Sequence, residues 1–203
     1  MKKFVSIVLA LCMCVALGVT AFAAEIDTDG GSGSTPVSLT TANDGIGGSD
    51  ITPTKMSVTV PTVFPMAMSD EGDVVTATDC RIVNNSYGAV RVKTVTISAA
   101  EGWHLTSFGD KSVLAAEQVD SNKLGFAMSI GGGAQVKTNG TDSTQTLISA
   151  PVSGCYLTGA GDAQGSVAGI EYDGIVTPLS NAVTNATVAS VVFVIEWDAV
   201  SNG

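Results

Sequence analysis

His104 is the single histidine among 203 residues, so the chain has one conventional general base and cannot build a multi-histidine metal site. No Gly-x-Ser-x-Gly elbow, phosphate loop, dinucleotide fingerprint or zinc knuckle is present. Carboxylates are more plentiful. Asp27 and Asp29 sit beside Gly30; Asp70, Glu71 and Asp73 share one expected turn; Glu171 and Asp173 flank Tyr172. None of these fits the twelve-residue loop that surrounds calcium with six or more oxygens, so they read as solvated turn residues and no metal ligand is assigned. A glycosidase needs two carboxylates facing across a cleft, one with a raised pKa, and spacing selects no such pair. With aromatic residues at 5%, platforms for sugar rings are few. The reading is a non-enzymatic protein with no catalytic residue and no cofactor.

Two other residue types carry more information. Of the four cysteines, Cys12 and Cys14 fall in an apolar N-terminal run, which leaves Cys80 and Cys155. In an oxidising compartment these two can form a disulfide that closes a long loop and stabilises by about 2 to 4 kcal/mol. The alternative is a pair of small buried apolar residues. The tryptophans are Trp103, in Gly102-Trp103-His104-Leu105-Thr106, and Trp197, in Val194-Ile195-Glu196-Trp197-Asp198-Ala199. Both can serve as large core or core-edge side chains whose indole N–H finds a carbonyl.

The elements that must position these residues begin after an export signal. Lys2 and Lys3 precede an apolar run from Val5 to Val19, and Ala21-Phe22-Ala23 supplies small residues around a cleavage site placed after Ala23. The run is shorter than the ~20 residues of a spanning helix, so removal is expected rather than retention as an anchor. Leu11 and Met13 precede the two cysteines where lipid attachment wants a small residue, which argues against a lipoprotein. The last residues, Trp197 to Gly203, lack an apolar tail or basic stop, so covalent sorting to a wall is not expected and no transmembrane anchor remains after processing. Loss of Lys2 and Lys3 takes the balance from 9 basic and 19 acidic to 7 and 19, a net charge of −12. Such a surface is repelled by phosphate backbones and anionic headgroups, which excludes nucleic acid as a partner.

Residues 24 to 52 are rich in Gly, Ser, Thr and Asp and cannot bury enough apolar area to order themselves, so they read as a flexible arm. Within it, Pro36-Val37-Ser38-Leu39-Thr40-Thr41 alternates like a half-buried strand. A strand on such an arm can pair with its own sheet or with the edge of a neighbouring copy, making the Val37 to Thr41 segment a candidate for homo-oligomer or fibre formation.

From residue 53 to 203 the apolar period is two. Met56, Val58 and Val60 alternate with polar residues, as do Leu124, Phe126, Met128 and Ile130 with small ones. Val74, Cys80 and Ile82 are expected inward, with Asp79 and Arg81 outward. Val90 and Val92 lie out of phase with Val95 and Ile97, which requires a bulge near Lys93 or Thr94. Val188 to Trp197 is apolar on nearly both faces and reads as a central strand. Turn residues stand at Asp70-Glu71-Gly72-Asp73, Asn84-Asn85-Ser86, Gly131-Gly132-Gly133 and Asn139-Gly140, the last the strongest hairpin cue. One short helix is expected over Val113 to Gln118, capped by Ser112. The fold class is all-β: an antiparallel Ig-like or jelly-roll-like sandwich of about eight to ten strands.

At its tryptophans the chain resembles the WxL-type surface proteins of Gram-positive bacteria. These are exported, β-rich proteins with two separated Trp-x-Leu motifs that associate non-covalently with peptidoglycan. Trp103 and Leu105 match the first motif, and Trp197 occupies the place of the second, where Ala199 stands instead of leucine. The resemblance spans about residues 56 to 199. It implies a secreted, cell-surface protein that acts by binding through Trp103, Leu105 and Trp197, with cell-wall peptidoglycan or other surface proteins as partners. A secreted carbohydrate-binding module is the alternative, and exposure of Trp103, Tyr87, Tyr156 or Tyr172 on one face is the feature that would favour it.

Overall fold

A computed structural model describes residues 55 to 198. The signal segment, the arm with Val37 to Thr41, and Ala199 lie outside these residues. The described chain is an antiparallel β-sandwich of twelve strands, nine of them three residues or longer, with one short helix. Its first sheet contains β1 (Val58–Thr59), β4 (Arg81–Asn84), β11 (Val167–Val176), β7 (Lys123–Ile130) and β6 (His104–Thr106) in that order, with β8 (Val136–Lys137) also on β7. The β6–β7 pair is parallel; the other pairs are antiparallel. The second sheet runs β10 (Tyr156–Leu157), β5 (Val90–Ala99), β12 (Ala189–Trp197), with β9 (Thr144–Ile148) on the same edge of β5 as β10. A hairpin of β2 (Met66–Met68) and β3 (Val74–Thr76) stands apart.

The core lies between the two sheets and is supplied by the inward residues of their long strands. Val90, Val92, Val95 and Ile97 of β5 face Ile82, Leu124, Met128 and Ile170, all at 2% exposure or less. Each such side chain contributes about 1.5 to 3 kcal/mol by leaving water. The phase change along β5 is resolved as expected. Val194 of β12 stands opposite Thr94 and Ile195 opposite Val92, so Lys93 is the extra residue and projects to solvent. The bulge returns all four apolar residues to one face.

Three local expectations are revised. The helix, α1, spans Lys111–Ala115 and its N-cap is Asp110, whose carboxylate accepts from the Ser112 backbone N–H at 2.9 Å. An aspartate outcompetes the serine because its ionised oxygen suits the N-terminal donors better. The glycine triplet closes the β7–β8 hairpin, whereas Asn139-Gly140 lies at the corner where the chain leaves β8 in one sheet for β9 in the other. The third revision concerns β12. Expected at the centre of a sheet, it pairs among the described residues only with β5 and is an edge strand of that described sheet. Its outward Val192 and Val194 are 56% and 44% exposed.

Candidate functional site

The β10–β5–β12 sheet gathers exposed aromatic and charged side chains at one end. Tyr156 stands opposite Arg91, and Arg91 opposite Glu196, so the three form one cross-strand row. Arg91 is on the side of β5 away from Val90 and Val92, which directs this row outward. Arg91 Nε donates to Glu196 Oε1 at 2.8 Å, Lys93 Nζ reaches Glu196 Oε2 at 2.9 Å, and Arg91 Nη1 lies 3.5 Å from Asp198 Oδ1. The hydrogen bonds from Lys93 and Arg91, with their positive charge, hold the Glu196 carboxyl below its ordinary range; the same pairing raises the Arg91 guanidinium.

Trp197 completes this end. It is 37% exposed, ends β12 opposite Val90, and lays its six-membered ring against Gly88, where an added Cβ would sit 3.0 Å from Cζ3. Asp198 N–H donates to Ala89 O at 3.0 Å and keeps the strand end in place. Tyr87, next to Gly88, is 88% exposed, and Tyr156 is 51% exposed. The turn carrying Tyr87 is fixed by buried Asn84, whose Nδ2 donates to Gly88 O and Thr158 O while its Oδ1 accepts from Ser86 N–H. A buried amide with three satisfied bonds makes a rigid mount for exposed rings. On the outward face the Tyr156 ring stands beside charged hydrogen-bonding groups, whereas Trp197, opposite Val90, lies on the other face at the same end.

The residues singled out from the sequence do not come together. Trp103 follows the opposite end of β5, near Ala99 and Ala189, whereas Trp197 pairs with Val90. At ~3.4 Å per residue the ladder separates the two ends by roughly 27 Å. Trp103 is half-buried in the wall of an apolar cleft with Phe64, Met66, Val188 and Val191. Leu105 is 1% exposed and is a core residue, so it presents no surface to a ligand. Tyr172, also weighed as a platform, is 6% exposed; its hydroxyl donates to Pro65 O at 2.6 Å and accepts from Ala77 N–H at 3.1 Å. Cys80 and Cys155 are free thiols, so the disulfide is not formed. Cys155 is buried ahead of β10 in one sheet, and half-buried Cys80 precedes β4 in the other, beside the Tyr172 hydroxyl.

Arg91, Lys93, Glu196 and Asp198 were not foreseen as a cluster. The available cue was two cations in the first half of one strand and two acids at the end of another, which antiparallel pairing brings together. His104 is exposed on β6, and its ring makes no side-chain hydrogen bond or ion pair among the described residues. Among those residues no three His, Cys, Asp or Glu side chains converge as metal ligands, and no helix is long and apolar enough to cross a membrane. Comparison with protein-family models, with curated proteins and with solved structures finds no match to this chain.

Proposed function

We propose that the chain is an exported bacterial cell-surface protein that works by binding and assembly, held to cell-wall glycan without a covalent link. The observation that carries this reading is exposed Tyr156 in one outward row with Arg91 and Glu196, beside Lys93 and Asp198, with Tyr87 and Trp197 exposed at the same end of the sheet and Trp197 on the face that carries Val90. Glycan binding needs both parts: ring faces for the apolar faces of sugars, and charged donors and acceptors for their hydroxyls. The N-terminal export pattern and the acidic balance agree with an extracellular, surface-associated site of action. The resemblance to WxL-type proteins points the same way through Trp197, although Leu105 has no surface and Trp103 lies at the far end.

The test is co-sedimentation of the purified mature protein with isolated cell walls. Retention in the pellet is expected, with loss of retention in Tyr156→Ala and Trp197→Ala and little change in Trp103→Ala after folding has been checked by circular dichroism. Protein that stays wholly in the supernatant would sink the wall-binding reading.

A further inference from the structure

The geometry points to β12 as a surface for a second copy of this chain: we propose that two β12 strands pair antiparallel across a two-fold axis, joining two sandwiches through one continuous sheet. This proposal stands on the edge of the sheet and is independent of glycan binding at the aromatic end.

Every other described sheet edge is short or polar. β1, β8 and β10 have two residues each, β6 has three and begins with exposed His104, and β9 begins Thr144-Gln145-Thr146. β12 has nine residues, and no backbone hydrogen bond joins it to any described strand except β5. Sheet edges are normally guarded by charge, proline or a bulge. From Ala189 to Ile195 there is no charge and no proline, and the bulge lies on β5 rather than on β12. Val192 and Val194 face solvent, and inward Val191, Phe193 and Ile195 are only half-buried, whereas their neighbours on β5 are fully covered.

The sequence of β12 also selects a register. With Phe193 on the two-fold axis, each Val192 stands opposite Val194 of the partner strand, each Val191 opposite Ile195, and each Glu196 opposite Ser190. Both outward valines then meet a valine, and the one charged side chain of the strand meets a hydroxyl. Centring the pair on Ile195 or Val194 places Glu196 opposite Val194 or Val192; centring it on Val192 or Val191 leaves at least one outward valine opposite Ser190. An isologous contact of this kind closes as a dimer. Because each copy is acidic, the dimer is expected to tighten as salt screens the repulsion between copies.

The experiment uses the purified mature chain and sedimentation over a concentration series. A dimer is expected, and Val192→Lys with Val194→Lys should return it to monomer without loss of folded signal, since both side chains are exposed. Register is read in a Cys80→Ser background by mixing Val192→Cys copies with Val194→Cys copies. Mild oxidation should cross-link the mixture at least about tenfold faster than either variant alone, because directly opposite Cβ atoms lie about 5 Å apart and diagonal ones about 7 to 8 Å. A chain that remains monomeric at about 100 μM, well above the range of a specific dimer, overturns the proposal. So does a dimer that survives the lysine pair, or one abolished by Val37→Lys with Leu39→Lys while the lysine pair on β12 has no effect; that last result assigns association to the arm.

Discussion

Phe193, at the middle of β12, has its ring centroid 6.2 Å from that of Phe64, which belongs to neither sheet. Phe64 in turn meets Tyr172 of β11 edge-on at 4.8 Å and Phe126 of β7 at 6.3 Å. The edge strand is therefore held to the opposite sheet through one ring carried on the segment before β2. Because Phe193 is half-buried, Phe193→Ala should cost about 2 kcal/mol, less than the 3 to 5 kcal/mol typical of a fully buried phenylalanine. Combining it with Phe64→Ala should reveal a coupling of about 0.5 to 1.5 kcal/mol, measured by urea unfolding of the single and double variants. Strict additivity would show that the two rings do not support each other.

Tyr172 fixes the same segment by polar means. Its hydroxyl donates to Pro65 O and accepts from Ala77 N–H, so it ties the chain on both sides of the β2–β3 hairpin to β11. Tyr172→Phe keeps the edge-on contact with Phe64 and removes only the oxygen. The expected loss is about 1 to 3 kcal/mol, because two backbone groups are left without their partner. Hydrogen exchange at Ala77 should quicken in step; unchanged exchange there would separate the hydroxyl from the anchoring of the hairpin.

Thr138 joins the corner between the sheets. Buried at 1% exposure, its Oγ1 accepts from Phe126 N–H at 3.0 Å and donates to Thr106 O at 2.6 Å, so one side chain serves β6 and β7 together. Thr138→Val preserves shape yet strands both groups, and should destabilise by about 1 to 3 kcal/mol. Thr138→Ser should recover part of that loss, because it restores the oxygen. A valine variant as stable as the parent would mean that water replaces the hydroxyl.

Much of the fold was legible because burial imposes a period. The phase error between Val92 and Val95 called for a bulge near Lys93 or Thr94, since only an inserted residue puts both valines in one core, and the register of β5 with β12 places it at Lys93. The same logic misled at β12, where apolar residues on both faces signify cover on both faces only if nothing else requires an exposed apolar edge. β11 was missed as a strand: Glu171 and Asp173 drew attention as acids, although Ile170-Glu171-Tyr172-Asp173 alternates buried and exposed as a strand should. Other features depend on contacts between distant segments, which no local pattern encodes. Gly154 has φ +89° and passes so near Ile130 O that a Cβ there would lie 1.9 Å from it. The separation of Trp103 from Trp197 follows from the register of β5 with β12, which sequence order alone does not reveal.

The pH dependence of stability follows from carboxylates that the fold holds ionised. Glu196 lies below its ordinary value of 4.5 through hydrogen bonds from Lys93 and Arg91 and then their charge. Asp162 is lowered by the backbone N–H groups of Gly165 and Gln164 and by the Thr158 hydroxyl, and Asp120 by the Ser180 hydroxyl and N–H. For each, the unfolded chain binds the proton at a higher pH than the folded one. Their contribution is therefore complete above the ordinary carboxylate pKa and is lost as pH falls through the lowered folded values. At the alkaline end Tyr172 has the opposite sign of shift: burial raises it above 10.0, so its contribution is full below that pH and disappears as pH rises through the folded value. Unfolding midpoints in urea should thus form a plateau from about pH 5 to 9 that falls on both sides. Glu196→Gln keeps an acceptor for Arg91 but cannot titrate, so its acid limb should be shallower than that of the parent. Tyr172→Phe should flatten only the alkaline limb. An acid limb unchanged by Glu196→Gln would mean that the Arg91 and Lys93 contacts are equally present in the unfolded chain.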